Sequence, residues 1–221
     1  VEASIVAAEG GEAIAALRDL GDRGKGISVM SDGAALIARR MFDEGKFDGI
    51  IGMGGSGGTG VVTAAMRVLP VGVPKVCVST LAAGDVSPFV GTKDIVMIPS
   101  IVDVAGVNRI SRTILTRAAG AICGMVAAQI AESTDDRPLI AASMFGNTTD
   151  CVDACREALD GQGYETLVFH ATGAGGRILE SLADEGLVDA VLDITTTEWA
   201  DELCGGILSA GSERLDAAGR R

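Results

Sequence analysis

Apolar residues in this chain fall into two alternating rhythms. Short, nearly continuous apolar runs at Asp48–Met53, Pro74–Ser79 and Asp94–Ile98 read as buried strands of a parallel sheet. Between and around them apolar positions recur at helical spacing, at Gly11–Leu20, Ser31–Gly45, Val61–Leu69 and Gly106–Ala131. In the second of these Ser31 or Asp32 is positioned to cap, and Ala35, Leu36, Ile37, Met41 and Phe42 form the apolar face. Val1–Ala8 reads as no more than a strand tail.

The polar stretch Glu132–Pro138 ends in proline and interrupts the pattern, which makes it the best domain boundary. Beyond it the rhythm restarts. Strands Leu139–Met144, Thr166–His170 and Ala190–Ile194 alternate with helices Cys151–Leu159 and Arg177–Glu185. This β-α-β-α-β order with short connections predicts an α/β protein of two Rossmann-like parallel-sheet subdomains, residues 1–134 and 135–221, the second incomplete. Loops at the carboxyl ends of the strands are then the expected ligand-facing elements.

Composition narrows the function. Aromatic residues are only 3% of the 221 positions while glycine occurs 31 times, so small residues carry much of the packing. With 30 acidic and 18 basic residues the net charge is −12, which repels a phosphate backbone, and nucleic acid is not an expected partner. No apolar window reaches the ~18 residues of a membrane span and no signal peptide is visible, so no membrane partner is expected. Five cysteines beside a single histidine suit neither a disulfide framework nor a metal site. They read as buried thiols in a reducing cytoplasm.

The glycines gather where chemistry is expected. Gly54, Gly55, Ser56, Gly57, Gly58 and Thr59 stand between a strand and a helix, where free N–H groups and the positive end of the helix dipole attract an anion. Each glycine costs about 0.5–1 kcal/mol of folding entropy relative to alanine, which a phosphate-binding role would explain. Gly52, Gly54 and Gly57 match the G-x-G-x-x-G spacing, but no carboxylate follows at the distance a dinucleotide site needs. The same run matches G-x-x-x-x-G-K-[ST] except that Gly58 replaces the lysine, which favours binding over hydrolysis.

Ser79, Thr80, Gly84 and Asp85 belong to a long loop that Lys93 closes, a candidate lid with Lys93 reaching phosphates. Thr172, Gly173, Gly175, Gly176 and Arg177 form a second strand-to-helix turn; Arg177 opposes the helix dipole unless an anion is present. Asn147 and Thr148, and then Thr196, occupy two further turns that serve equally as helix caps. His170, Glu198 and Asp85 are acid–base candidates, but no complete catalytic constellation is visible. Gly120 and Gly124 share one helix face and suggest close helix or dimer contact.

Gly52–Thr59, Gly72–Lys75, Gly84–Pro88, Val90–Thr92 and Asn108–Ser111, followed by Phe145–Thr149, His170–Gly176 and Thr195–Glu198, together resemble the Tm-one-like ATP-binding family. That family includes the N-terminal region of a plant tobamovirus-resistance protein and many bacterial and fungal relatives. The resemblance implies ATP, with or without magnesium, bound between two Rossmann-like subdomains, and a homodimer. It also implies further segments at both ends, so the chain reads as truncated. Two other readings remain beside it: an enzyme acting on a phosphorylated or carboxylated metabolite, and an interaction module that a nucleotide stabilises.

Overall fold

The computed structural model describes residues 1–129 and 136–220, which form two compact units within Val1–Ile130 and Ala131–Arg221. The expected boundary at 134/135 lies outside the described residues. Each unit holds a three-stranded parallel sheet flanked by helices, which makes the chain an α/β protein of Rossmann-like build.

In the first unit β1 (Ile50–Gly54), β2 (Lys75–Ser79) and β3 (Val96–Pro99) lie in the order β1-β2-β3. Side chains alternate across β2. Cys77 points into a cluster with Met66 of α4 (Ser56–Arg67), while Val76 and Val78 pack on Ala118 and Ile122 of α6 (Arg109–Ala127). The parallel register brings Gly54, Ser79 and Pro99 to one carboxyl edge. At the opposite edge the buried Lys75 ammonium donates to Asp94 at 2.7 Å and to the carbonyls of Pro70 and Val73.

Three further helices precede β1, and here the structure corrects the sequence pattern. Residues expected to form a strand tail are α1 (Ala3–Glu9), which is followed by α2 (Ile14–Leu20). The third helix, α3 (Arg23–Asp43), starts eight residues before the expected caps, because Asp22 accepts a hydrogen bond from the Lys25 amide and begins it there. Gly24 and Gly26 had hidden this start. Gly33 is required by contact: a Cβ there would collide with the Val6 carbonyl of α1. Gly120 and Gly124, by contrast, are exposed and meet nothing within 4 Å, so they mark no close packing among the described residues.

The second unit contains β4 (Leu139–Met144), α7 (Thr149–Asp160), β5 (Glu165–His170), α8 (Ala174–Asp184), β6 (Ala190–Leu192), α9 (Thr197–Cys204) and α10 (Ala217–Arg220). Its sheet order is β5-β4-β6, so the chain reverses direction across β4. The carboxyl ends of β4 and β6 flank that switch point.

The cysteines divide. Only Cys77 is fully buried, and burial pushes its thiol up to about 11, whereas Cys123, Cys151 and Cys204 are exposed. The expectation of uniformly buried thiols therefore fails, because three of these positions lie on outward helix faces.

Candidate functional site

Two glycine-rich strand-to-helix turns were expected to hold anions, and the structure builds them in opposite ways. In the first unit the turn is shorter than the glycine run suggests. Helix α4 begins at Ser56, with Gly55 as a cap that offers no side chain. The first intrahelical bond runs from the Thr59 amide to the Gly55 carbonyl at 2.8 Å. The N–H groups of Ser56, Gly57 and Gly58 precede it and have no acceptor within the helix.

The glycines of this turn serve different purposes. A Cβ on Gly54 would lie 2.7 Å from the Gly58 backbone, and one on Gly52 would lie 2.5 Å from Val62, so both are required to seat α4 on β1. At Gly55 and Gly58 the nearest atoms would be 3.8 Å and 3.6 Å away, which is ordinary contact. Packing does not demand glycine at either position; at Gly58, inside the helix, it costs up to about 1 kcal/mol against alanine, whereas at the Gly55 cap glycine is a favoured residue. Gly57 is intermediate, since its Cβ would approach only the flexible tip of Ile27 at 2.9 Å. Gly57 and Gly58 border a groove of about 530 Å³ whose walls include Ile27, Met30, Arg18 and Arg23.

Several expected ligands in this unit are committed elsewhere. Thr59 is fully buried; its hydroxyl shares a 2.7 Å hydrogen bond with Ser79 and also donates to the Gly54 carbonyl. Ser79 is buried as well and accepts from the Leu81 amide. These two side chains tie α4 and β1 to β2 and do not face a phosphate. Lys93 precedes β3 and so belongs to the amino edge of the sheet, opposite the start of α4. Asp85 is exposed, and hydrogen bonds from the Ser87 hydroxyl and then the Ser87 amide hold its carboxyl below the usual range, just ahead of α5 (Ser87–Val90). Gly84 sits beside it in the exposed turn. Thr80 remains at the carboxyl edge, exposed and next to Gly55.

One strained residue lies at the same edge. Ile101, just beyond β3, has φ 63°, a left-handed conformation that a β-branched residue adopts at a cost of about 1–3 kcal/mol. Its side chain is nonetheless 74% exposed.

In the second unit the corresponding turn is closed from within. Glu198, an acid–base candidate, is buried at the start of α8, where one carboxylate oxygen accepts from the Gly173 and Gly176 amides at 2.7 and 3.0 Å. The other oxygen accepts from Arg214 Nε at 2.7 Å. Glu198 therefore supplies the anion that the helix start calls for and is not placed to exchange protons with a ligand. The glycines follow from this: Gly173 has φ 82°, and a Cβ on Gly176 would strike the Glu198 carboxylate. Gly175 is equally constrained, against the His170 backbone.

Arg214 organises the rest of this network. Its guanidinium pairs bidentately with Asp193 at 2.6 Å and reaches Glu180 at 2.9 Å. Burial opposes its charge, but the bonds to Asp193 and Glu198 outweigh that and raise its affinity for the proton. Three carboxylates around one cation leave an excess of negative charge. Backbone amides offset the excess: Leu215 and Ala217 donate to Glu180, and Gly173 and Gly176 to Glu198. Ser143 donates to Asp193 at 2.6 Å and accepts from the Thr195 amide, while the hydroxyls of Thr195 and Thr148 are 2.6 Å apart.

Of the remaining candidates, Asn147 and Thr196 are exposed at the switch point, and Thr196 caps α9 without a side-chain hydrogen bond. Thr172 turns back to the His170 carbonyl at 3.3 Å. Arg177 is exposed and donates to the Ser209 carbonyl at 2.9 Å, so an internal acceptor and the Glu198 carboxylate answer the charge question its position raised. His170 is exposed, with its ring 5.3 Å from that of Phe145. Sequence reasoning missed Arg214, Asp193, Arg23 and Ile101. No local motif marks them, and partners distant in sequence define all but Ile101. Among the described residues no group of three or more His, Cys, Asp or Glu side chains could hold a metal ion.

Comparison with known proteins adds the family. Residues 1–131 match the description "Uncharacterised protein family (UPF0261) N-terminal domain" and residues 137–221 match its C-terminal domain. The chain belongs to the UPF0261 family. It is 53% identical to a UPF0261 protein of Clostridium tetani over 96% of its own length and 53% of the relative's. It is 49% identical to one of Rhizobium meliloti over all of its length and 54% of that protein. The tomato ToMV resistance protein Tm-1(GCR237) is 45% identical over 88% of this chain and 26% of the relative, so the resemblance seen in the motifs extends to a named plant member. The chain thus spans about half the length of the two bacterial relatives and about a quarter of the tomato protein.

Proposed function

We propose that the first unit binds a nucleotide, with ATP as the expected occupant and its phosphates at the start of α4. The observation that carries this reading is the unexplained glycine. Gly58, inside the first turn of α4, has room for a side chain yet carries none, and Gly55 caps the helix without one. Bare N–H groups at a parallel sheet's carboxyl edge suit close approach of a phosphate. Arg18 and Arg23 on the adjoining groove outnumber its one acid, Asp22, and leave it net positive.

Binding without efficient hydrolysis is the form this function takes. A lysine that neutralises developing charge is absent from the run, where Gly58 stands instead, and Lys75 and Lys93 belong to the amino edge. The site is read as working in a homodimer, which light scattering of the purified chain would test.

Titration calorimetry with ATP tests the main claim. Gly58→Asp leaves the fold unstrained and suits a helix's first turn, but it sets a carboxylate against the phosphates. We expect saturable binding by the native chain and at least tenfold weaker binding by the variant. Equal affinities would remove the start of α4 from the site.

A further inference from the structure

Resting on the nucleotide reading above, we propose that Ile101 is the apolar platform on which the nucleotide's base packs, and hence a determinant of specificity for that ligand. Beside Ile101, at the carboxyl ends of β2 and β3, lies a hollow of about 450 Å³ lined by Thr80, Pro99, Ser100 and Asp103. Its size lies within the usual range of small-molecule sites. Thr80 joins this hollow to the start of α4, because its hydroxyl would lie 3.8 Å from a Cβ on Gly55. One continuous rim therefore runs from the N–H groups of α4 to Ile101, within a single unit.

The conformation of Ile101 gives the argument its direction. The turn is pinned on both sides: the Ser100 amide donates to the Ser79 carbonyl at 3.0 Å, and the Ser100 hydroxyl donates to the Val102 carbonyl at 2.6 Å. Glycine would adopt the resulting φ of 63° without strain. The chain instead carries a β-branched side chain that gains little burial, being 74% exposed. Among the described residues the other non-glycine residue with positive φ is Leu215, which is less exposed, at 40%, and whose amide donates to Glu180 inside the Arg214 network. At Ile101 the strain presents an apolar surface outward into the hollow, where a flat ring would cover it.

The test compares ATP with inorganic tripolyphosphate, which shares the phosphates and lacks the base, by titration of the full chain and its Ile101→Gly and Ile101→Asn variants. Native protein is expected to prefer ATP at least tenfold. Both variants are expected to cut that preference about fivefold or more, to keep their tripolyphosphate affinity, and to melt at the native temperature or above. A preserved ATP preference in the variants overturns the proposal, as does loss of tripolyphosphate binding along with ATP. Native protein that binds both ligands equally overturns the role of Ile101 and leaves the phosphate site standing. Native protein that binds neither overturns the nucleotide reading and this proposal together.

Discussion

The starts of α4 and α8 are written in nearly the same letters, and the fold uses them in opposite senses. Each follows a parallel strand and each is rich in glycine. At α8 every glycine of the turn is explained by contact, and the free N–H groups are answered by Glu198. At α4 only Gly52 and Gly54 are so explained, and no side chain caps the helix. A glycine-rich turn after a strand therefore announces an unsatisfied helix start. Whether a ligand or a distant carboxylate satisfies it depends on what the rest of the chain delivers.

Breaking the closed turn should have the largest effect. Arg214→Ala leaves Asp193, Glu198 and Glu180 facing one another without their shared cation. We expect a loss of about 3–5 kcal/mol in the second unit's stability. The indole N–H of Trp199, the chain's single tryptophan, donates to the Arg214 carbonyl at 2.6 Å. Its fluorescence during urea unfolding thus reports this unit directly. Glu198→Gln is milder, because the amide keeps the volume and one acceptor. About 1–3 kcal/mol should be lost, with ATP affinity unchanged. A large drop in ATP affinity would show that the closed turn belongs to the ligand site after all.

The open turn should respond the other way. Gly58→Asp is expected to lower ATP affinity tenfold or more, about 1.4 kcal/mol, while leaving the melting temperature unmoved. A stability loss there as large as that of Arg214→Ala would mean that α4 is closed by contacts as α8 is.

The smallest effect belongs to the ion pair at the far edge of the first sheet. Burial tends to raise the Asp94 carboxyl, but Lys75 and the Gly72 amide outweigh it and hold it below its ordinary value of 3.8. Its contribution is present at neutral pH and is lost as pH falls below about 4 through the lowered value. Asp94 is partly exposed, so Asp94→Asn should cost under about 1 kcal/mol at pH 7, a difference that shrinks as pH falls below about 4 in denaturant titrations.

Much of the architecture was legible in local pattern. The six strands and the helices α4, α6, α7 and α8 are short-range signals, because a buried parallel strand must be apolar along its length, whereas α5 lies in a segment that reads as a loop and α9 follows one that reads only as a turn. The start of α3 was not legible, since Gly24 and Gly26 lower its helical propensity and the helix's contacts with α1 and α4 restore it. The site was legible as a set of turns and not as a set of contacts. Thr59 and Ser79 read as phosphate ligands because hydroxyls suit that task, yet their mutual hydrogen bond across 20 residues buries both.

The sequence by itself determined the alternation of strand and helix, the carboxyl-edge placement of the glycine turns and the acidic balance that disfavours nucleic acid. These depend on residue type and near neighbours. Only the tertiary structure decided which turn stayed open, because the deciding groups come from far along the chain. Glu198 reaches back 25 residues to the Gly173 amide, and Arg214 reaches 34 residues to Glu180. A buried charge is tolerated only where such partners converge, and convergence is a property of the folded chain.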